Sequence, residues 1–175
     1  MIFDRKAKAM PDYYFRHLLD ITPDDIKNMG AEAIAVDLDN TAVFFGSFKL
    51  EEGVREWTAN MLRSGIKVII VSNTLNSRAF ILSKQMCNVG FIALSLKPSP
   101  RGIENASRRL GVPTEKIAMI GDKLSSDILA ANRAGAIAVK VDNLRHYYEK
   151  ENNLPKYAAT AATVAAAAAV ISVLK

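Results

Sequence analysis

The sequence predicts an α/β fold, a mostly parallel sheet of about five strands flanked by helices. Three observations predict it. Apolar runs of strand length at 33–38, 67–72, 91–94, 117–121 and 136–141 alternate with helix-length segments at 51–64, 76–86, 100–110 and 125–134. That alternation is the signature of βαβ units. Val68, Ile69, Ile70 and Val71 are continuously apolar, as strands covered on both faces are. Gly65, Gly111 and Gly135 each close a helix-length segment, where glycine takes the left-handed conformation that ends a helix.

Taken in order, residues 1–30 read as an N-terminal appendage packed on the core. Within it Thr22 caps a short helix that has Pro23 at its first position. Residues 31–152 hold the alternating elements and form the core domain. Residues 153–175 are an Ala-rich tail, without charge from 158 to 174. Alanine is the best helix former, so the tail reads as a helix docked on the surface. A peripheral membrane contact is its second reading, because the stretch is short and weakly apolar for a span.

Composition narrows the class. With 175 residues, half of them apolar, the chain can bury one sizeable core. A net charge of +5 favours anionic partners such as phosphoesters or an acidic membrane surface. The Lys and Arg residues are scattered and no zinc-finger spacing or RNP-like strand occurs, which argues against nucleic acid. A single cysteine, Cys87, excludes an intrachain disulfide and reads as a small packing residue. Together with a charged N-terminus lacking an apolar leader, this predicts a cytoplasmic protein.

Chemistry-bearing residues gather where strands end. The first strand runs into Asp37-Leu38-Asp39-Asn40-Thr41. Alternate residues of a strand face opposite sides, so the two carboxylates converge only where the chain begins to turn. Turn chemistry alone accounts for Asp, Asn and Thr, but paired carboxylates repel unless a cation or positive donors hold them. The second strand ends in Ser72-Asn73-Thr74, small donors suited to phosphoryl oxygens or simply a helix start. After the third comes Lys97 beside Pro98, a cation on a restricted backbone. The fourth ends in Gly121-Asp122, with Asp127 five residues on. Oxygen ligands of this kind suit Mg²⁺, and Asp127 reads alternatively as a helix-initial carboxylate.

This ordered set resembles the haloacid-dehalogenase (HAD) superfamily phosphatases, with a Rossmann-like fold. Asp37-Leu38-Asp39-Asn40-Thr41 matches motif I, Ser72 motif II, Lys97 motif III, and Gly121-Asp122 through Asp127 motif IV. More narrowly the chain is similar to the YqeG-type subfamily, on the stretch from Pro11 to Pro23, on Val71-Ser72-Asn73 and on Lys97-Pro98. Lys123 and Ser126 depart from the Gln and Thr common in motif IV.

The resemblance implies Asp37 as nucleophile and Asp39 as general acid and base. It implies Mg²⁺ held by Asp37, the Asp39 backbone carbonyl and Asp122. Ser72, Asn73 and Lys97 would bind phosphate, with Thr41 and Asp127 supporting. The spacings 41–72 and 73–97 leave no room for a cap domain, so the site is expected to be open, with Phe44, Phe45 and Phe48 near its mouth. Some relatives of this type dephosphorylate phosphatidylglycerophosphate, which implies a lipid head group as substrate. Two alternatives stand beside it: a phosphatase of a soluble or protein-bound phosphoester, and a non-catalytic module that binds RNA or protein.

Overall fold

The computed structural model describes residues 8–151. The Ala-rich tail lies outside the described residues. In chain order the elements are β1 (Tyr13–Phe15), α1 (Pro23–Asn28), β2 (Ala33–Val36), α2 (Val54–Arg63), β3 (Lys67–Val71) and α3 (Asn76–Gln85). β4 (Gly90–Ile92), α4 (Arg101–Leu110), β5 (Ile117–Gly121), α5 (Leu129–Ala134), β6 (Ile137–Val141) and α6 (Leu144–Glu151) follow.

The strands form one parallel sheet in the order β1-β6-β5-β2-β3-β4. The core sits on both faces. Ile34 and Val36 of β2 pack with Ile26, Trp57, Met61 and Leu82 from α1, α2 and α3. Ala33 and Ala35 pack with Ile103, Ala106, Ala130 and Ala131 from α4 and α5. All four residues of β2 are buried, which is why its sequence is continuously apolar rather than alternating.

The expected strands and helices are present, with ends shifted by up to four residues, the largest shift at the start of α5. The sheet has six strands rather than about five, because the N-terminal segment contributes β1 along β6. Three residues with exposed tyrosines carry no strand periodicity, and pairing with a distant edge decided the matter. Asp12 fixes that edge through its N–H to Ala138 O, 2.8 Å, and its carboxylate accepting from Ala138 N–H, 2.9 Å. Thr22 forms the expected cap: its hydroxyl accepts from Asp25 N–H and the Asp25 carboxylate accepts from Thr22 N–H. Gly111 and Gly135 close α4 and α5 with positive φ. Cys87 is half-buried rather than in the core. α6 is an additional helix, and it docks Tyr147 against His17.

The strand order places the chemistry. From β2 the chain moves outward to β3 and β4, then returns across to β5 and β6. The reversal lies between β2 and β5, the switch point where the crevice beyond the strand ends opens in such sheets. Between residues 41 and 97 the chain holds a short flap, α2, β3, α3 and β4. The mouth is therefore uncovered by any inserted domain.

Candidate functional site

Asp37 immediately follows β2, Ser72 follows β3, and Asp122 follows β5. Asn40 turns the chain after β2 with φ 59°, a left-handed conformation that Asn tolerates better than most residues. The turn is closed by Asn40 N–H to Val43 O, 2.7 Å, and by Thr41 N–H to Leu38 O, 3.1 Å.

One corner is built around Lys97. Its side chain is 1% exposed, and its Nζ meets three oxygens: Asp37 Oδ1 at 2.7 Å, Asp127 Oδ1 at 2.6 Å and Val71 O at 2.7 Å. The contacts to Asp37 Oδ1 and Val71 O are hydrogen bonds and the one to Asp127 Oδ1 is an ion pair, so one compact charge holds oxygens from three segments. Burial works to lower the Lys97 pKa, but the Asp37 and Asp127 charges outweigh it and hold the ammonium above its ordinary value. Asp37 is pushed up to about 6, by burial first; Lys97 opposes that rise and Asp127 adds to it.

Asn73 fastens the loop carrying Lys97. Its Oδ1 accepts from Lys97 N–H and Ser95 Oγ, both 2.9 Å, and its Nδ2 donates to Lys97 O at 3.1 Å. On that loop Leu94 and Leu96 have φ of 47° and 56°, conformations that bulky residues adopt only under constraint.

Asp127 reaches Lys97 from a single π turn, Leu124–Ile128, that leads into α5; such turns recur at functional sites. Its second oxygen accepts from Lys123 N–H at 3.0 Å. A side chain at Gly121 would place Cβ 2.4 Å from Asp127 Cγ. The glycine of the Gly121-Asp122 pair is therefore required by the closeness of Asp127.

A second corner holds Asp39. Arg78, on α3, grips it with both prongs, Nη1 to Oδ2 at 2.8 Å and Nη2 to Oδ1 at 2.7 Å. Gly46 N–H adds a bond to Oδ1 at 2.9 Å. The remaining Arg78 donors go to Ser47 O and Thr74 Oγ1, so the same side chain joins α3 to the flap.

Asp122 lies across the cavity, with Oδ2 accepting from Asn143 Nδ2 at 2.8 Å. Its pKa is raised, by burial first, against the Asn143 hydrogen bond and with help from the Asp37 charge. Carboxylate oxygens of Asp37, Asp122 and Asp127 lie within 4.8 Å of one another. Asp127 already serves Lys97 and Lys123, so Asp37 and Asp122 are the carboxylates with capacity for a cation. Hard oxygen donors and negative charge concentrated by burial fit a divalent ion such as Mg²⁺.

The cavity of about 210 Å³ is lined by Asp37, Asp39, Ser72, Asn73, Lys97, Asp122 and Asp127, with Phe45 and Lys123 at its sides. Seven of the eight residues singled out from the sequence thus share one pocket. Thr41 is the exception: it is fully buried, outside the lining, and its hydroxyl finds no hydrogen-bond partner among the described residues. Asn73 lines the wall while its polar atoms hold the Lys97 loop. Ser72 Oγ makes only a weak contact with Thr74 N–H, at 3.4 Å.

Sequence reasoning missed Arg78 and Asn143. Arg78 had a signal, a charged residue on the helix face that also buries Ala79 and Leu82.

A family profile for haloacid dehalogenase-like hydrolases matches residues 7–135. The chain belongs to that family. It is an enzyme of the family's phosphatase kind, which sets aside the non-catalytic module. The chain is 34% identical over 130 residues, 74% of its length and 75% of the relative's, to a probable phosphatase, YqeG, of Bacillus subtilis. Among solved structures it is similar to an uncharacterized protein from Listeria monocytogenes, with TM-score 0.52, 20% identity and coverage of 61% of this chain and 75% of that one. An uncharacterized protein from Corynebacterium glutamicum has TM-score 0.51, 16% identity and coverage of 68% and 90%. These two likenesses concern the fold alone. No helix among the described residues is long and apolar enough to cross a membrane.

Proposed function

We propose that the chain is a Mg²⁺-dependent phosphomonoesterase that works through an aspartyl-phosphate on Asp37. The observation that carries this reading is Asp37 itself, a buried carboxylate with one oxygen held by Lys97 and Asp122 facing it within 4.8 Å. Lys97 orients Asp37 so that its other oxygen attacks phosphorus, a form of covalent catalysis open to carboxylates. Asp39 protonates the leaving oxygen and then takes a proton from the water that cleaves the intermediate. Ser72, at the end of β3, supplies a hydroxyl to a phosphoryl oxygen, with Asn73 and Lys97 forming the adjoining wall. Mg²⁺, held by Asp37, Asp122 and the Asp39 backbone carbonyl, would offset the repulsion between phosphate and carboxylates.

We infer further that the ester is a lipid head group of the phosphatidylglycerophosphate kind, met at a membrane surface by a cytoplasmic, membrane-peripheral protein. The mouth supports this. Phe45, Phe48, Leu75, Leu94 and Leu96, on the loops after β2, β3 and β4, are each half exposed or more. Phe45 lines the cavity, and exposed apolar side chains on the loops that follow the same strands suit a phosphate presented by its own bilayer, while the chain's net charge of +5 suits an anionic one.

The test is phosphate release from phosphatidylglycerophosphate in mixed micelles with Mg²⁺, beside soluble phosphoesters. Wild type and Asp37→Asn are run in parallel. Preference for the lipid, lost in the variant, is the expected result. Activity on soluble esters alone keeps the mechanism and removes the lipid.

A further inference from the structure

We propose that Arg78 is a positioning residue for Asp39 and confines the transferred proton to one atom, Asp39 Oδ2. The inference rests on the phosphatase reading above.

A carboxylate oxygen offers about two acceptor sites. Oδ1 fills both, with Arg78 Nη2 at 2.7 Å and Gly46 N–H at 2.9 Å. Among the described residues Oδ2 fills one, with Arg78 Nη1 at 2.8 Å. The proton that Asp39 gives or takes therefore has a single place to sit. Arg78 cannot exchange that proton itself, because a guanidinium stays charged in proteins.

The clamp is equally determined from the other side. A guanidinium has five N–H donors, and Arg78 makes hydrogen bonds to Asp39 Oδ1, Asp39 Oδ2, Thr74 Oγ1 and twice to Ser47 O, each 3.0 Å or shorter. No donor is left to let the fork swing, so the orientation of Asp39 is inherited from α3 and the flap. The reaction then uses one atom twice. As the ester P–O bond breaks, the leaving oxygen keeps the electron pair and receives the proton from Oδ2, while phosphorus becomes bonded to Asp37. Water next attacks phosphorus and gives its proton to Oδ2. The bond to Asp37 breaks, and phosphate leaves.

Leaving-group dependence separates this role from a structural one. A p-nitrophenolate departs without a proton, whereas an alkoxide needs one. Arg78→Ala is expected to lower kcat on an alkyl phosphomonoester by about 10²-fold, the lower range of acid–base contributions, with only a severalfold loss on p-nitrophenyl phosphate. Millimolar guanidinium should restore the alkyl reaction, and Arg78→Lys, a point charge without a fork, should not. Should Arg78→Ala fail to fold, Arg78→Lys reads the same split. Equal losses on both esters, or none on either, overturn the proposal and leave Arg78 a strut for the flap. Faster alkyl turnover also overturns it, since Arg78 would then restrain Asp39. A wild-type enzyme inactive on every ester overturns the phosphatase reading and this inference with it.

Discussion

Asp37 and Asp39 stand two residues apart on one loop, yet the fold holds them by different means. Asp37 meets a buried ammonium to which β3 and the π turn before α5 also contribute oxygens. Asp39 meets a planar fork at the rim, its own side chain 26% exposed, in company with the flap. A lysine suits the first corner because a compact charge accepts partners from unrelated directions. An arginine suits the second because its fork matches a carboxylate edge. The interior corner is set by strand ends and moves little without the core, while the rim corner is set by a helix and a loop that the substrate meets first.

Substitutions separate the two corners. The largest effect belongs to the interior. Asp37→Asn should remove phosphate release altogether while the circular dichroism spectrum stays native. Lys97→Met should also silence the enzyme, and it leaves Asp37 and Asp127 buried without their partner. Breaking a buried pair in this way costs about 3–5 kcal/mol, which urea unfolding would read. A stable, active Lys97→Met variant would dissolve the contrast between the corners.

At the rim, Asp39→Asn should lower turnover by roughly 10²–10⁴-fold. Both partners are mostly buried, with the Asp39 and Arg78 side chains 26% and 10% exposed, and the substitution leaves the Arg78 charge without its carboxylate, so urea unfolding should also register a loss larger than an exposed pair would give.

The raised pKa of Asp37 sharpens the comparison further. A carboxyl lifted from 3.8 to about 6 on folding is disfavoured in its ionised form. That penalty is absent below pH 3.8 and fully present above 6. In the metal-free protein above that pH, Asp37→Asn should therefore stabilise, by about 1–3 kcal/mol at ~1.4 kcal/mol per pK unit, and the gain should fade on acidification. Turnover, which needs the ionised form, should fall as pH drops through the same range. Mg²⁺ should draw the titration lower, and EDTA should stop turnover until Mg²⁺ is returned. The smallest effect lies far from both corners: Thr22→Ala removes a helix cap, about 1 kcal/mol, with no change in kcat.

Much of the site was legible because its residues sit where local signals end. Asp37, Ser72 and Asp122 each stand directly after an apolar strand, and an apolar run that stops at a polar residue is visible without any contact. Lys97 was legible less from its loop than from its place in the ordered set. Arg78 was not read, since its partners Asp39 and Ser47 lie 39 and 31 residues away and nothing beside it in the chain names them. The sixth strand escaped for the same reason, pairing across 126 residues with β6.

Strand and helix order, the caps at Thr22, Gly111 and Gly135, and the clustering of carboxylates at strand ends follow from propensity, periodicity and turn chemistry, which act over a few residues. Which cation holds which carboxylate, the closeness of Asp127 that forbids a side chain at Gly121, and the edge position of β1 come from packing between segments distant in sequence. Such contacts exist only once the sheet has brought those segments within hydrogen-bond reach.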